Sequence, residues 1–92
     1  MEIRHEDGGR QGRFAADTEA GTAELTWRRL DETTVAFDHT FVPTALRGQG
    51  VAAKLLDAAV AWAREAGVKV VPQCSYVRAE FARKAAYRDI AA

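Results

Sequence analysis

The sequence predicts an α+β domain built on a mostly antiparallel, mixed sheet, with elements in the order β-β-β-β-α-β-α. Three observations carry this. Residues 1–42 hold four segments whose apolar side chains fall on alternate positions, separated by short turns of glycine, aspartate and glutamate. Residues 51–66 carry an apolar stripe at helical spacing. A short apolar run, residues 68–74, follows Gly67. A strand, its crossover helix and the next strand close right-handed, so 68–74 should lie parallel to 34–42 and make the sheet's one parallel pair.

Glu2 to Glu6 reads as the first strand, ended by the turn-forming Asp7-Gly8-Gly9, with Arg13 to Asp17 as its hairpin partner. Glu19-Ala20-Gly21 turns the chain into Ala23 to Leu30. There Leu25 and Trp27 alternate with Glu24, Thr26 and Arg28, as in a strand buried on one face. After Asp31-Glu32-Thr33, the segment Thr34 to Val42 is the strongest strand. Its alternation puts Val35, Phe37, His39 and Phe41 on one face and Ala36, Asp38, Thr40 and Val42 on the other. In the helix, Val51, Leu55, Ala59, Ala63 and Ala66, joined by Leu56 and Trp62, oppose Lys54, Asp57, Arg64 and Glu65, and Gly67 ends it. Ser75 is the expected cap of a last helix running from Tyr76 to about Ala86.

Composition bounds the function. Ninety-two residues with 48% apolar content are expected to form one domain, 1–92, with a thin core. Thirteen basic and thirteen acidic side chains cancel, so no global field draws the chain to nucleic acid or to an anionic membrane. The densest basic run, Arg78, Arg83, Lys84 and Arg88, is broken by Glu80 and Asp89 and reads as a solvated helix face. The charged start lacks an apolar signal region, and no stretch approaches the roughly 18 apolar residues of a membrane span. A cytoplasmic protein, monomeric or weakly dimeric, is expected. One cysteine forms no internal disulfide, and His5, His39 and Cys74 share no ligand-type spacing, so no metal is expected.

Residues 42–56 run from a strand end through a glycine turn into a helix, which builds an anion site from backbone alone. Gly48 and Gly50 permit φ > 0 and carry no Cβ, so successive amides can converge on an anion beside the positive end of the helix. Arg47 adds a forked cation. On spacing alone, a phosphate-bearing cofactor and a plain strand-to-helix turn are both open readings. The surrounding residues add a resemblance. Arg47-Gly48-Gln49-Gly50-Val51-Ala52 fits the Q/R-x-x-G-x-G/A motif of the GNAT superfamily of N-acetyltransferases. His39-Thr40-Phe41-Val42-Pro43 and Pro72-Gln73-Cys74-Ser75-Tyr76 resemble the two further signatures of a very short GNAT branch. The resemblance implies a single acetyl-CoA-binding domain with the pyrophosphate on the backbone amides of Leu46 to Ala52. It further implies a pantetheine arm lying between two splayed parallel strands, along Phe41, Val42 and Pro43. Pro43 has no N–H to give to a ladder, which suits the place where such pairing stops.

Acetyl transfer to an amine needs a deprotonated acceptor, a polarised thioester and a proton for the departing CoA thiolate. His39 is either a general base or a core histidine between Phe37 and Phe41. Cys74 is a nucleophile, a proton donor to the CoA sulfur, or a small buried side chain. From the ends of the two flanking strands, His39 and Cys74 are expected to meet across the cleft, and the resemblance implies that both line it. The resemblance implies a tyrosine hydroxyl as the acid, for which Tyr76 and Tyr87 are the candidates, with a packing role the alternative for each. Larger relatives insert helices after the first strand and add strands after the last helix to build an acceptor pocket, and this chain has neither. The acceptor is then a protein or peptide amine, or a loosely held small amine. The alternative function is an acyl-CoA-binding module without turnover. Lys84-Ala85-Ala86-Tyr87 departs from the expected Asn-Pro-type turn and leaves the end of the last helix open.

Overall fold

Alternating apolar residues and tight turns build the sheet. A computed structural model describes residues 1–92. The strands are β1 Arg4–Asp7, β2 Gln11–Thr18, β3 Gly21–Asp31, β4 Thr34–Phe41 and β5 Lys69–Pro72; the helices are α1 Val51–Ala66 and α2 Ser75–Arg83. Short 3-10 turns span Thr44–Leu46 and Ala85–Ile90. The sheet runs β1-β2-β3-β4-β5, antiparallel throughout except for the parallel pair β4–β5. The expected fold class, element order and single parallel pair are therefore those observed.

The helices cover one face. Leu25, Trp27 and Phe37 of the sheet are buried against Leu55, Leu56 and Val60 of α1 and Val77 of α2, in one cluster that also takes in Tyr87 and Ile90. Toward β1 the cluster becomes aromatic: His5 stacks on Phe14 at 4.0 Å and Trp27 on Trp62 at 4.6 Å. Gly12, which pairs with Trp27, makes this possible. A Cβ there would stand 2.3 Å from the Glu6 carbonyl oxygen and 2.7 Å from Trp27 Cζ2, so no larger residue fits. The other face is bare of helices. Arg4, Glu6, Arg13 and Glu24 form a salt-bridged layer on it. No helix is long and apolar enough to cross a membrane.

One departure from strict alternation matters for function. Trp27 pairs with Phe37 but Thr26 pairs with His39, so Asp38 is an extra residue, a β-bulge in β4. Asp38 accepts a hydrogen bond from Thr26 Oγ1 at 2.5 Å and lies 3.6 Å from Arg28. Beyond it the faces exchange: Thr40 pairs with Leu25 on the helix side, while His39 and Phe41 pair with Thr26 and Glu24 on the open side. The expectation that Val35, Phe37, His39 and Phe41 share one face is thus corrected at Asp38.

Further boundaries move for identifiable reasons. β5 ends at Pro72 rather than Cys74, because the amides of Gln73 and Cys74 both turn to the Phe37 carbonyl, at 3.0 and 3.1 Å. The N-cap of α2 is consequently Cys74, in extended conformation, and not Ser75. α2 stops at Arg83 instead of about Ala86. Tyr87, whose hydroxyl donates to Asp57 Oδ1 at 2.6 Å, anchors the following 3-10 turn against α1. Arg64 bonds Asp89, and the Ala92 amide bonds the Val70 carbonyl, so this last segment also lies along the outer edge of β5.

Candidate active site

The site lies where the parallel strands part. Pairing of β4 with β5 begins at Thr34 and Lys69 and ends at Phe37 and Pro72, while β4 continues to Phe41 with only β3 beside it. The free edge of residues 38–41 and the N-terminus of α2 thus form the two sides of a fork.

At one end of the fork the chain turns through Pro43 and the 3-10 turn into α1. Gly48 and Gly50 take φ of +83° and +78°, the left-handed region that favours glycine. Gly50 is the N-cap of α1; it carries no side-chain cap, and no acidic residue occupies the first helical turn. The amides of Val51, Ala52 and Ala53 therefore have no intrahelical partner and point out at the positive end of a 16-residue helix. A cavity of about 250 Å³ opens onto them, walled by Val42, Leu46, Arg47, Val51, Ala52 and Tyr76 as well as the two glycines. Arg47 is exposed, its Nε donating to the Val42 carbonyl at 3.4 Å. Gln49 lies outside this wall and donates to the Ala45 carbonyl. Phe41, 45% exposed, is turned to the open face, and Pro43 is buried near Gly21.

Cys74 is half-buried on the other arm of the fork. Its sulfur lies 3.5 Å from Thr40 Oγ1. Burial pushes the thiol pKa up, but Thr40 and the nearby amides of Val77 and Tyr76 outweigh it, so the thiol lies below its ordinary range. No side-chain hydrogen bond caps α2, so the helix amides act on the sulfur as oriented dipoles rather than through a formed cap. Tyr76 is half-buried on the cavity wall, and its pKa is raised by burial and by the carboxylates of Glu80 and Asp57, which keeps the phenol protonated. Tyr87, the other candidate acid, is buried with its hydroxyl donating to Asp57, away from the cavity wall.

His39 is exposed on the open face. The reading of it as a core histidine between Phe37 and Phe41 does not hold, because the bulge separates it from Phe37. Nor do His39 and Cys74 meet on one face: Cys74 touches Thr40, and His39 projects from the opposite side of β4. Thr40 is the neighbour of Cys74 that alternation misses. Counting by twos from Val35 turns it away from the helices, and the extra residue that reverses this carries no glycine or proline signal.

A five-stranded sheet that forks at its one parallel pair, with a capless glycine turn beside the fork, defines the class. The profile of the GCN5-related N-acetyl-transferase family matches residues 13–90, and the chain belongs to that family. It is similar to a GCN5-like candidate N-acetyltransferase from Staphylococcus aureus, solved by NMR in solution. The two are 34% identical; the match covers 99% of this chain and 87% of that one, with a TM-score of 0.75. No curated protein matches the chain.

Proposed function

We propose that this chain is an acetyl-CoA-dependent N-acetyltransferase whose amine acceptor approaches over the open face of the sheet. The observation that carries the reading is the glycine turn with its unpaired amides at the fork. A Cβ at Gly48 or Gly50 would meet nothing within 4 Å, so the cradle is clear of protein atoms as well as of competing carboxylates. The backbone of Leu46 to Ala52 fits a pyrophosphate, with Arg47 beside it. The unpaired edge of β4, continued through Val42 to Pro43, offers backbone groups to an extended arm. Acetyl-CoA, when bound, supplies the activated acetyl group.

The residues around the fork then divide the work by face. His39, on the open side, is placed to take a proton from an incoming ammonium group directly or through water. Cys74, on the helix side, has two chemically balanced roles. As an acid it gives its proton to the departing CoA sulfur. As a nucleophile its thiolate bonds the acetyl carbon while the carbon–CoA sulfur bond breaks and the thiol's former proton passes to the CoA sulfur; the neutral amine then takes the acetyl group, and the amine's proton returns to the cysteine sulfur. Tyr76 holds a proton on the cavity wall and is the second candidate acid.

The acceptor side is built for a large partner. The β1–β2 hairpin turns within Gly8–Arg10, so nothing from it covers the sheet. An open trough of about 750 Å³ crosses this face, lined by Glu6, Asp7, Arg13, Thr26, Arg28 and Asp38 among others, with Trp27 its one apolar residue. Small-ligand sites are enclosed and mostly apolar, whereas a polar trough suits a protein or peptide amine that brings its own surface. The reading places the protein in the cytosol, where a single half-buried thiol stays reduced.

The deciding experiment mixes the protein with acetyl-CoA and a panel of peptides and small amines and follows free thiol. CoA release that depends on an acceptor is expected. Binding without release would instead make the chain an acyl-CoA-binding module, the alternative reading of the same bare acceptor face. Mass spectrometry after incubation with acetyl-CoA alone separates the two roles of Cys74: an added acetyl group, absent in Cys74→Ser, marks the nucleophile.

A further inference from the structure

We propose that Thr40 is a positioning residue for Cys74, its hydroxyl holding the sulfur in the fork and bonding to it whether or not the thiol carries its proton. The inference rests on Cys74 belonging to the acetyl-transfer site. The two residues are 34 positions apart in the chain, and the distance of 3.5 Å between Sγ and Oγ1 spans the fork from β4 to the N-cap of α2. Thr40 lies three residues past Phe37, the last residue of β4 paired with β5. It reaches the helix face only because Asp38 is bulged, so the bulge and the contact belong together.

Both side chains are half-buried, and Thr40 is the only side-chain hydrogen-bond partner of the sulfur. The thiol donates to Oγ1; once its proton has left, the hydroxyl rotates and donates to the sulfur, so neither state leaves the pair unmatched. A β-branched side chain on a strand has a stiff χ1, which makes Thr40 a firmer support than serine would be. The charges nearby offer no substitute. Arg78 of α2 is held by the Gln73 carbonyl and Arg28 of β3 by the Gln73 side chain; Glu80 and Arg83 of α2 and Asp57 of α1 act on the Tyr76 phenol, and His39 of β4 faces the other side. The groups that favour the thiolate are all neutral donors, with the Thr40 hydroxyl foremost among them.

Cys74 is the chain's one cysteine, so its iodoacetamide alkylation can be followed directly against pH, with no CoA present. Thr40→Val and Thr40→Ala should both move the profile to higher pH and slow alkylation at pH 7 several-fold, while Thr40→Ser keeps most of the wild-type rate. One isosteric replacement and one truncation guard against a folding defect in either one, checked by melting temperature. Unchanged profiles in both would overturn the proposal, as would a shift in Thr40→Ser as large as in Thr40→Val, which would mean packing rather than the hydroxyl. Because the assay contains no CoA, a failure of acetyl transfer would overturn the enzyme reading alone.

Discussion

Gly50 holds φ at +78°, yet nothing lies within 4 Å of where its Cβ would stand. Its requirement is therefore conformational and electrostatic rather than steric. Aspartate at this N-cap position would direct a carboxylate at the same amides of α1 that a pyrophosphate needs. The strain of a non-glycine residue in the left-handed region, about 1–2 kcal/mol, would be partly offset by capping worth about 1 kcal/mol. Gly50→Asp is thus expected to melt near the wild type and to lose acetyl-CoA binding; titration calorimetry showing unchanged affinity would remove the anion site from the turn. His39 is separable in the same way. Because it is exposed and packs into no core, His39→Gln should leave both melting temperature and CoA affinity nearly alone. Acetyl transfer should fall by roughly 10²–10⁴, the usual contribution of a general base. Turnover within a factor of two of wild type would leave the open-face histidine without a catalytic part.

At the scale of elements, β1 is an edge strand of four residues held to the sheet by its ladder with β2, by exposed ion pairs and by a part-buried polar contact. Trp27 Nε1–H donates to His5 Nε2 at 3.0 Å, and that nitrogen accepts only while unprotonated. Burial lowers the pKa of His5 against the opposing pull of Asp7. Since the folded-state value lies below the unfolded value of about 6.5, the unfolded chain binds the proton first, and stability is lost as pH falls below about 6.5. Melting temperature should hold steady above that pH and decline toward pH 5.5. His5→Phe, which keeps a ring against Phe14 but cannot titrate, should flatten the decline; an equal slope in the variant would assign it to other groups. The elements themselves were legible where one period ran unbroken. The stripe from Val51 to Ala66 has both its helical spacing and a terminating glycine, and the Leu25/Trp27 alternation needs no tertiary information. β4 was legible as a strand but not in its register, because Asp38 becomes an extra residue only through what Thr26 and Arg28 offer it from β3. Serine outranks cysteine as a cap by propensity, yet the Phe37 carbonyl draws the amides of Gln73 and Cys74 and starts α2 one residue early. The glycine turn was read in place because its signal is local, whereas the Thr40–Cys74 contact depends on a bulge and a strand end together.

Taken as a whole, the molecule concentrates its packing on the helix face and leaves the other face to exposed ion pairs, which contribute little each and less in salt. The fork sits within the packed half. β4, the glycine turn, α1 and α2 are consecutive around it apart from β5, so a ligand seated there would brace four elements that the chain otherwise joins through the thin cluster around Leu55, Phe37 and Val77. Binding to the folded state alone stabilises by about 2.7 kcal/mol at a hundredfold excess over Kd. In a domain of this size each kcal/mol moves the melting temperature by about 4–8 °C. Saturating acetyl-CoA is therefore expected to raise it by roughly 10–20 °C without any acceptor present. Gly50→Asp should show no rise, and Cys74→Ser should keep most of it, because the anion cradle rather than the thiol supplies the affinity. A wild-type melting temperature that does not move at such concentrations would mean that the fork does not hold the cofactor, and both the enzyme and the binding-module readings would fall together.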